Sequence, residues 1–158
     1  MTKPDTTFIA EPGTLDMTTT AVIDAPADKV YRAFTEPDLV AQWWGPPELK
    51  TRIETFDPTA GGRWRIVHID PDGNEYGFNG VVHSVVPNQR IIQTFEFEGL
   101  PGHVCLQTLT LEETDGETKV TEHAVYQSVE DRDGMADSGA RDFAPIGMAQ
   151  LAEVVSKL

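Results

Sequence analysis

The chain has 158 residues, and its 26 acidic side chains outnumber its 12 lysines and arginines, giving a formal net charge of -14 at pH 7. This length predicts a single domain, and the acidity excludes nucleic acid or an anionic membrane as a partner, because no basic excess can displace counterions. No apolar run approaches the roughly 20 residues of a membrane span, which excludes membrane insertion. The one cysteine excludes an internal disulfide and a zinc–thiolate cluster and favours a reducing cytoplasm.

The first 13 residues are polar, contain Pro4, Pro12 and Gly13, and show no periodicity. We therefore expect a flexible N-terminal arm over residues 1–13, followed by a single domain over residues 14–158. A run rich in β-branched side chains occupies residues 14–24 and predicts the first strand of that domain.

Two short helices are predicted directly after this strand. Pro26 stands at an early helical position, which tolerates its missing N–H, and apolar side chains follow at helical spacing until Glu36 and Pro37 end the helix. The second helix runs to Trp43, where the sequence Trp-Trp-Gly-Pro-Pro stops it.

Strands separated by turn residues dominate the middle of the chain. Asp, Pro, Gly and Asn cluster in the links between them, and links this short favour an antiparallel meander. The predicted strands lie near residues 49–56, 63–70, 75–86, 89–98, 103–113 and 117–127.

The C-terminal part of the chain returns to helix. Ser128 followed by acidic residues predicts a capped helix start, and a break is expected at Ser138 and Gly139. A final helix then runs to Leu158, with Pro145 bending it or marking a late start. The whole pattern predicts an α+β fold in which a curved antiparallel sheet of about six to seven strands wraps around this long helix. Such a sheet leaves room beside the helix, which is a natural small-molecule site.

Short motifs in a fixed order give the chain a family resemblance. They are Ala25-Pro26, Val30-Tyr31-Arg32-Ala33-Phe34-Thr35, Trp43-Trp44-Gly45-Pro46, Gly61-Gly62-Arg63-Trp64, Phe97-Glu98-Gly99-Leu100-Pro101-Gly102-His103 and Tyr126-Gln127-Ser128. With these motifs the chain resembles the START-like (SRPBCC) superfamily, which has the helix-grip fold. Within it, the chain resembles the homologues of the heat-shock-protein-90 ATPase activator, a branch that includes CalC-like proteins.

This resemblance implies a shared architecture but no shared catalytic set. Members of the family are described as binders of hydrophobic small molecules, as cyclases or self-sacrificing resistance proteins, and in eukaryotes as chaperone activators. Binding of a small hydrophobic or amphipathic molecule, without a cofactor, is therefore the leading hypothesis. A contact with a chaperone is implied by the resemblance alone, and a homodimer stays open.

Candidate ligand-binding residues follow from the alternation of side chains along the strands and from the apolar stripe of the last helix. The predicted inner face of the sheet contributes His83, Gln93, Phe95, Cys105, Gln107, Glu122 and Tyr126. The final helix contributes Phe143, Ile146, Gly147, Gln150, Leu151 and Val154. Trp43 and Trp44 either form an aromatic wall for the ligand or plug the helical corner onto the sheet, and the second interpretation is favoured.

Glu122 and the histidines carry the remaining chemistry. A carboxylate that faces a cavity has a raised pKa, and Glu122 either anchors a ligand hydroxyl or amine, acts as a general base, or reaches water at an edge. The enzymatic alternative is a cyclase or hydrolase of a polyketide-like or aromatic substrate, with Glu122 and either His83 or Tyr126 as acid and base. The histidines lack metal-ligand spacing, so no metal is expected, and Cys105 is expected in the core.

Overall fold

Eight antiparallel strands form one sheet in the computed structural model, which describes residues 3–158. The strands are β1 Thr6–Ile9, β2 Asp16–Ile23, β3 Lys50–Phe56, β4 Arg63–Ile69, β5 Glu75–Val86, β6 Arg90–Phe97, β7 Val104–Thr114 and β8 Glu117–Val125. Their order across the sheet is β1-β2-β8-β7-β6-β5-β4-β3. Strands β3 to β8 are therefore the predicted meander, and β2 closes against β8.

The helices interrupt the strand sequence after β2 and follow it after β8. They are α1 Ala27–Thr35, α2 Pro37–Trp43, α3 Val129–Met135 and α4 Arg141–Ser156, with a π-helical turn over Ala136–Ala140 between the last two. Ser128 caps α3 as predicted, since its side chain accepts a hydrogen bond from the Asp131 backbone N–H at 3.0 Å. The expected break falls in the π-helical turn, where Gly139 has a φ of 133°, and Pro145 lies inside α4.

The long C-terminal helix packs across the curved sheet. Helix α4 contacts α1, α2, β1 and β2, and the predicted α+β helix-grip architecture is confirmed. None of the helices within residues 3–158 combines the length and apolar character that a membrane crossing requires.

The main core lies between α1, α2, α4 and the side of the sheet that faces them, here called the inner face. Val30 and Leu151 are each 0% exposed at its centre. The indole N–H of Trp43 donates to the Ala33 carbonyl at 2.8 Å, and the Trp43 ring meets Phe34 edge-on at 4.8 Å between centroids. Burial with a satisfied N–H stabilises the helical corner against the sheet, which is the plug interpretation of Trp43.

The predicted flexible N-terminal arm contains a strand instead. The segment Thr6–Ile9 pairs antiparallel with β2 and forms one edge of the sheet. The connection to β2 is held by Arg132, which is 2% exposed and donates to the carbonyl oxygens of Glu11 and Asp16. A strand of four residues gives little periodicity, and the groups that order it come from a helix far along the chain. Residues 1–2 of the predicted arm lie outside the described residues.

Candidate functional site

Strands β6, β7 and β8 bring most of the predicted site residues together on the inner face. Gln93 lies opposite Gln107, and Phe95 lies opposite Cys105. Tyr126, directly after β8, is buried with Cys105 in a small cluster against which Phe95 packs. Directly opposed residues of antiparallel strands point to the same side, so the faces that alternation predicted for these three strands are correct.

Glu122 lies on the inner face of β8, separated from Tyr126 by Ala124 on the same face. It lies opposite Leu109 on β7 and opposite Thr19 on β2, neither of which carries a charge. Within residues 3–158 its carboxylate has no hydrogen-bond partner, and burial raises the pKa of this carboxyl to about 7. Glu122 is half-buried as a whole residue, while its carboxyl group is desolvated and the protein leaves it unpaired within residues 3–158.

Six aromatic rings line the inner face beside these polar groups, and we call them the aromatic wall. Phe78 is central to it, with its ring centroid 5.4 Å from Trp44, 5.6 Å from Phe95 and 5.2 Å from Phe97. All of these four rings keep part of their surface exposed. The members are Trp44, Trp64, His68, Phe78, Phe95 and Phe97.

The part of the inner face formed by the aromatic wall, the Gln93–Gln107 pair and Glu122 is called the groove below. The side-chain amide nitrogen of Gln93 donates to the side-chain oxygen Oε1 of Gln107 at 3.3 Å. Gln93, Gln107 and Glu122 are half-buried residues, like the four aromatic residues around Phe78. The groove therefore joins a large apolar surface to a few fixed polar groups, which is the composition typical of a small-molecule site.

Trp44 enters the aromatic wall because the chain turns sharply after α2. Gly45 has a φ of 99°, a conformation that side-chain-bearing residues rarely adopt, and a Cβ there would collide with the His68 ring. The Trp44 carbonyl oxygen lies 3.3 Å from Nε2 of His68 and accepts from the Thr51 hydroxyl at 3.2 Å. Burial lowers the pKa of His68, so this imidazole is neutral at pH 7 and serves to hold the turn.

The cluster at the other side of the groove is chemically inert. Cys105 and Tyr126 pack there with Ala124, and Met17 and Met135 cover them. Burial raises the pKa of the Cys105 thiol to about 11 and raises that of Tyr126 further above its ordinary range. Cys105 is therefore a protonated thiol at neutral pH and a core residue, as expected.

His83 does not lie on the inner face, contrary to the prediction. The register between β5 and β6 shifts between Val82 and Ser84, so a bulge places an extra residue in β5 at this point. Val82 is buried before the bulge and Val85 packs against the core after it, which leaves His83 exposed. Strict alternation along β5 therefore assigns the wrong face on one side of the bulge.

Helix α4 presents only part of its predicted stripe to the sheet. Gly147, Leu151 and Val154 are buried, whereas Ile146 is 41% exposed, so its predicted inward orientation is wrong. The buried stripe instead includes Ala144, Met148, Ala152 and Val155. Small residues on this stripe let α4 lie close to its neighbours, and the exposed side of the helix falls at Ile146.

Two other predicted residues of α4 have structural contacts. The side-chain amide of Gln150 donates to the carbonyl oxygens of Trp43 and Gly45, at 2.9 and 3.0 Å. Gln150 thus ties α4 to the corner that carries Trp44. Phe143 covers Gly147, where a Cβ would lie 2.7 Å from its ring, so Gly147 makes room for an aromatic side chain of its own helix.

Pockets beside the groove are small. One, lined by Phe34, Trp64, Ile91 and Gln93 among others, has a volume of about 20 Å³, enough for about one water molecule. Another of about 230 Å³ opens outside the helical corner and is lined in part by Trp44. Both are smaller than the roughly 300 Å³ at which ligand pockets begin, so a ligand needs room that side-chain movement provides.

The predicted acid–base pair is not assembled. His83 lies on the exposed side of β5. Tyr126 and Glu122 are four residues apart on one strand, which separates their backbones by roughly 13 Å. Within the described range, residues 3–158, no three His, Cys, Asp or Glu side chains converge in a way that could hold a metal ion.

Sequence reasoning missed four members of the aromatic wall as site residues: Trp64, His68, Phe78 and Phe97. A signal was present for three of them. Trp64 and His68 flank buried Ile66 at a spacing of two along β4, and Phe97 shares the predicted inner face of β6 with Phe95. Phe78 precedes the bulge of β5 and shares its face with buried Gly80 and Val82. The contact of these strands with Trp44 depends on the turn after α2, which alternation does not encode.

Solved structures with the same architecture come from several bacteria. A crystal structure of a protein from Rhodobacter sphaeroides has a TM-score of 0.88 and 24% identity, and the match covers 98% of this chain and 100% of that one. A solution NMR structure of a protein from Arthrobacter aurescens has a TM-score of 0.87 and 23% identity, covering 96% of this chain and 92% of that one. These likenesses show the fold alone.

Comparison with protein families assigns the chain more specifically. An uncharacterized protein of Schizosaccharomyces pombe is 31% identical over 107 residues, which are 66% of this chain and 28% of that protein. The chain thus spans less than a third of the length of this relative. Residues 24–156 match the family described as Activator of Hsp90 ATPase homolog 1-like protein. Because this match extends from the end of β2 to the end of α4, the chain belongs to that family.

Proposed function

We propose that the chain binds a small hydrophobic or amphipathic molecule in the groove. The observation that carries this proposal is the partial exposure of Trp44, Phe78, Phe95 and Phe97 on the face that should bury apolar surface most completely. Covering apolar area contributes about 25 cal/mol per Å², before the costs of association are subtracted. The amides and Glu122 would orient the molecule.

Trp44 is the side chain whose movement admits the ligand. It belongs to the aromatic wall and also lines the pocket of about 230 Å³ outside the corner. Its backbone is held by His68 and Thr51, and Gln150 holds the residues on either side of it. Rotation of the indole about its side-chain bonds would therefore join the outer pocket to the groove without disturbing the helical corner.

A neutral fluorescent probe tests the proposal. N-phenyl-1-naphthylamine brightens in apolar surroundings, and we expect saturable binding by the native chain. Gln107→Trp places an indole inside the groove and should weaken probe binding by about tenfold or more. Leu106→Trp is the matched control, because Leu106 is the preceding residue on the same strand and is 45% exposed on the opposite side of the sheet.

Probe affinity of the control should stay within about twofold of the native value. Thermal unfolding of both variants, followed by near-ultraviolet circular dichroism, checks that each retains the native fold. Equal affinities for all three proteins, or a loss confined to Leu106→Trp, would place the probe outside the groove and contradict the proposal.

A further inference from the structure

Glu122 is an acidic side chain that the surrounding protein does not neutralise. Its neighbours across β2 and β7 are Thr19 and Leu109. The titratable groups on the inner face of its own strand pair are Cys105 and Tyr126, and burial keeps both protonated and uncharged at pH 7 because it raises their pKa values. Among residues 3–158, the inner-face neighbours of Glu122 on β2, β7 and β8 therefore include no cation.

The helices over the sheet supply no cation either. Lys29 of α1 donates to the Leu158 carbonyl oxygen at 2.9 Å, and buried Arg132 of α3 pairs with Asp133. Tyr31 of α1 is partly buried, and burial raises its pKa, so it is uncharged at pH 7. The other titratable side chains of α1, α2 and α4 are exposed, namely Asp28, Arg32, Asp38, Arg141, Asp142 and Glu153.

Three features of the groove favour a cation from outside. An ionised carboxylate that is held away from water is stabilised by a cationic partner, because the pair offsets the lost hydration. The exposed faces of the aromatic wall attract a cation through the ring quadrupoles. The formal net charge of -14 raises the local concentration of cations around the protein and lowers that of anions.

The Gln93–Gln107 pair offers a hydrogen-bond acceptor to such a cation. Gln93 donates to Gln107, which leaves the side-chain oxygen of Gln93 without a partner among residues 3–158. An ammonium group has three N–H donors, so it can bond the Glu122 carboxylate and an amide oxygen together. A carboxylate or phosphate could accept from the free N–H groups of the same amides, but it would also meet the like charge of Glu122.

We infer that the groove selects a lipophilic amine, whose ammonium group pairs with the Glu122 carboxylate while its apolar body lies on the aromatic wall. This inference rests on the proposed function. The aromatic wall alone would accept any apolar molecule of suitable shape. The pairing with Glu122 adds the chemical class of the ligand.

A matched pair of probes separates the two proposals. 1-Naphthylmethylamine and 1-naphthalenemethanol share the same ring system and differ in one polar group, which is an ammonium in the first at neutral pH. Isothermal titration calorimetry at about pH 8 should give the amine an affinity roughly tenfold or more above that of the alcohol for the native chain. In Glu122→Gln the two affinities should differ by less than about threefold, with the alcohol unaffected.

Glu112→Gln is the matched control for net charge, since Glu112 is an exposed carboxylate of β7 and its loss changes the total charge equally. This variant should keep the preference for the amine. Lowering the pH to about 5.5 protonates Glu122, whose pKa is about 7, and should reduce the preference in the native chain while the alcohol affinity stays constant.

The outcomes distinguish the inference from the proposed function. Equal affinity of the native chain for both probes would overturn the amine inference and leave groove binding intact. A preference that survives in Glu122→Gln would also overturn it, because the carboxylate would not be the partner. No binding of either probe, together with no binding of N-phenyl-1-naphthylamine, would overturn both.

Discussion

Two neighbouring tryptophans lie in two different regions of the molecule. Trp43 is 6% exposed in the main core, and its indole N–H is satisfied by a backbone carbonyl. Trp44 follows it as the extended residue that ends α2, with a ψ of 113°, and its partly exposed ring turns toward the aromatic wall. The main core is closed by α1, α2 and α4, whereas solvent reaches the groove. A short motif can therefore place one ring in the main core and the next on the surface that we propose binds the ligand.

The largest expected effect comes from replacing each tryptophan by alanine and comparing the loss of stability. Trp43→Ala removes a buried ring and leaves the Ala33 carbonyl without its donor, so it should lower the free energy of unfolding by about 3–5 kcal/mol. Trp44→Ala removes a partly exposed ring and should cost about 1–2 kcal/mol. Urea denaturation followed by circular dichroism measures both values. A larger loss for Trp44→Ala would mean that the aromatic wall is a second core.

Regular alternation made the inner face of β6, β7 and β8 predictable. Along β6, apolar Ile91, Phe95 and Phe97 share one side with Gln93, while Glu96 and Glu98 mark the other. Alternation therefore predicts that Glu122, Gln93 and Gln107 face the inner side of the sheet, and their strand register agrees with it. Successive side chains of a strand point to opposite faces, so the order of apolar and polar residues indicates which face each residue occupies.

The errors occur where orientation is set by a distant contact or by an extra residue. The bulge at His83 changes the face of β5 without any change in composition. The segment Thr6–Ile9 becomes a strand because Arg132, more than 100 residues later, holds the connection that follows it. Ile146 is apolar and follows helical spacing, yet the packing of α4 on small residues leaves it outside.

The ionisation of Glu122 gives a second, smaller test, because burying this carboxyl in the groove should make the free energy of unfolding depend on pH. Its pKa in the folded chain, about 7, is above the ordinary value of 4.5, so its proton is held more tightly when folded. This stabilisation is complete below about pH 4.5 and is lost as the pH rises through 7. The full shift corresponds to about 3 kcal/mol, and residual access of solvent reduces the expected effect to roughly 2 kcal/mol.

Glu122→Gln should therefore be more stable than the native chain at about pH 8 by roughly 2 kcal/mol, and nearly equal to it at about pH 5. Comparing the two proteins at each pH isolates Glu122 from carboxylates that act in the opposite direction, such as Glu98, whose pKa Arg65 lowers. Glu112→Gln, at an exposed position, provides the reference. If the stability difference between native chain and Glu122→Gln does not change with pH, the carboxyl is already paired or solvated.

The smallest effect is expected where the two regions are joined. Gln150 bonds the carbonyl oxygens on either side of Trp44, so Gln150→Ala leaves two partly buried acceptors without a protein donor and should cost about 1–2 kcal/mol of unfolding free energy. Gln42 is the matched glutamine, because its amide donates to a single carbonyl, that of Asp38, on the exposed surface of α2. Gln42→Ala should change stability by less than about 0.5 kcal/mol. These two hydrogen bonds fix the backbone on either side of Trp44. When Gln150→Ala removes them, the backbone gains motion, and the Trp44 indole signal should broaden in NMR spectra. An equal cost for the two glutamines, with the Trp44 signal unchanged, would show that the corner is held by the core alone and that Gln150 does not restrain Trp44.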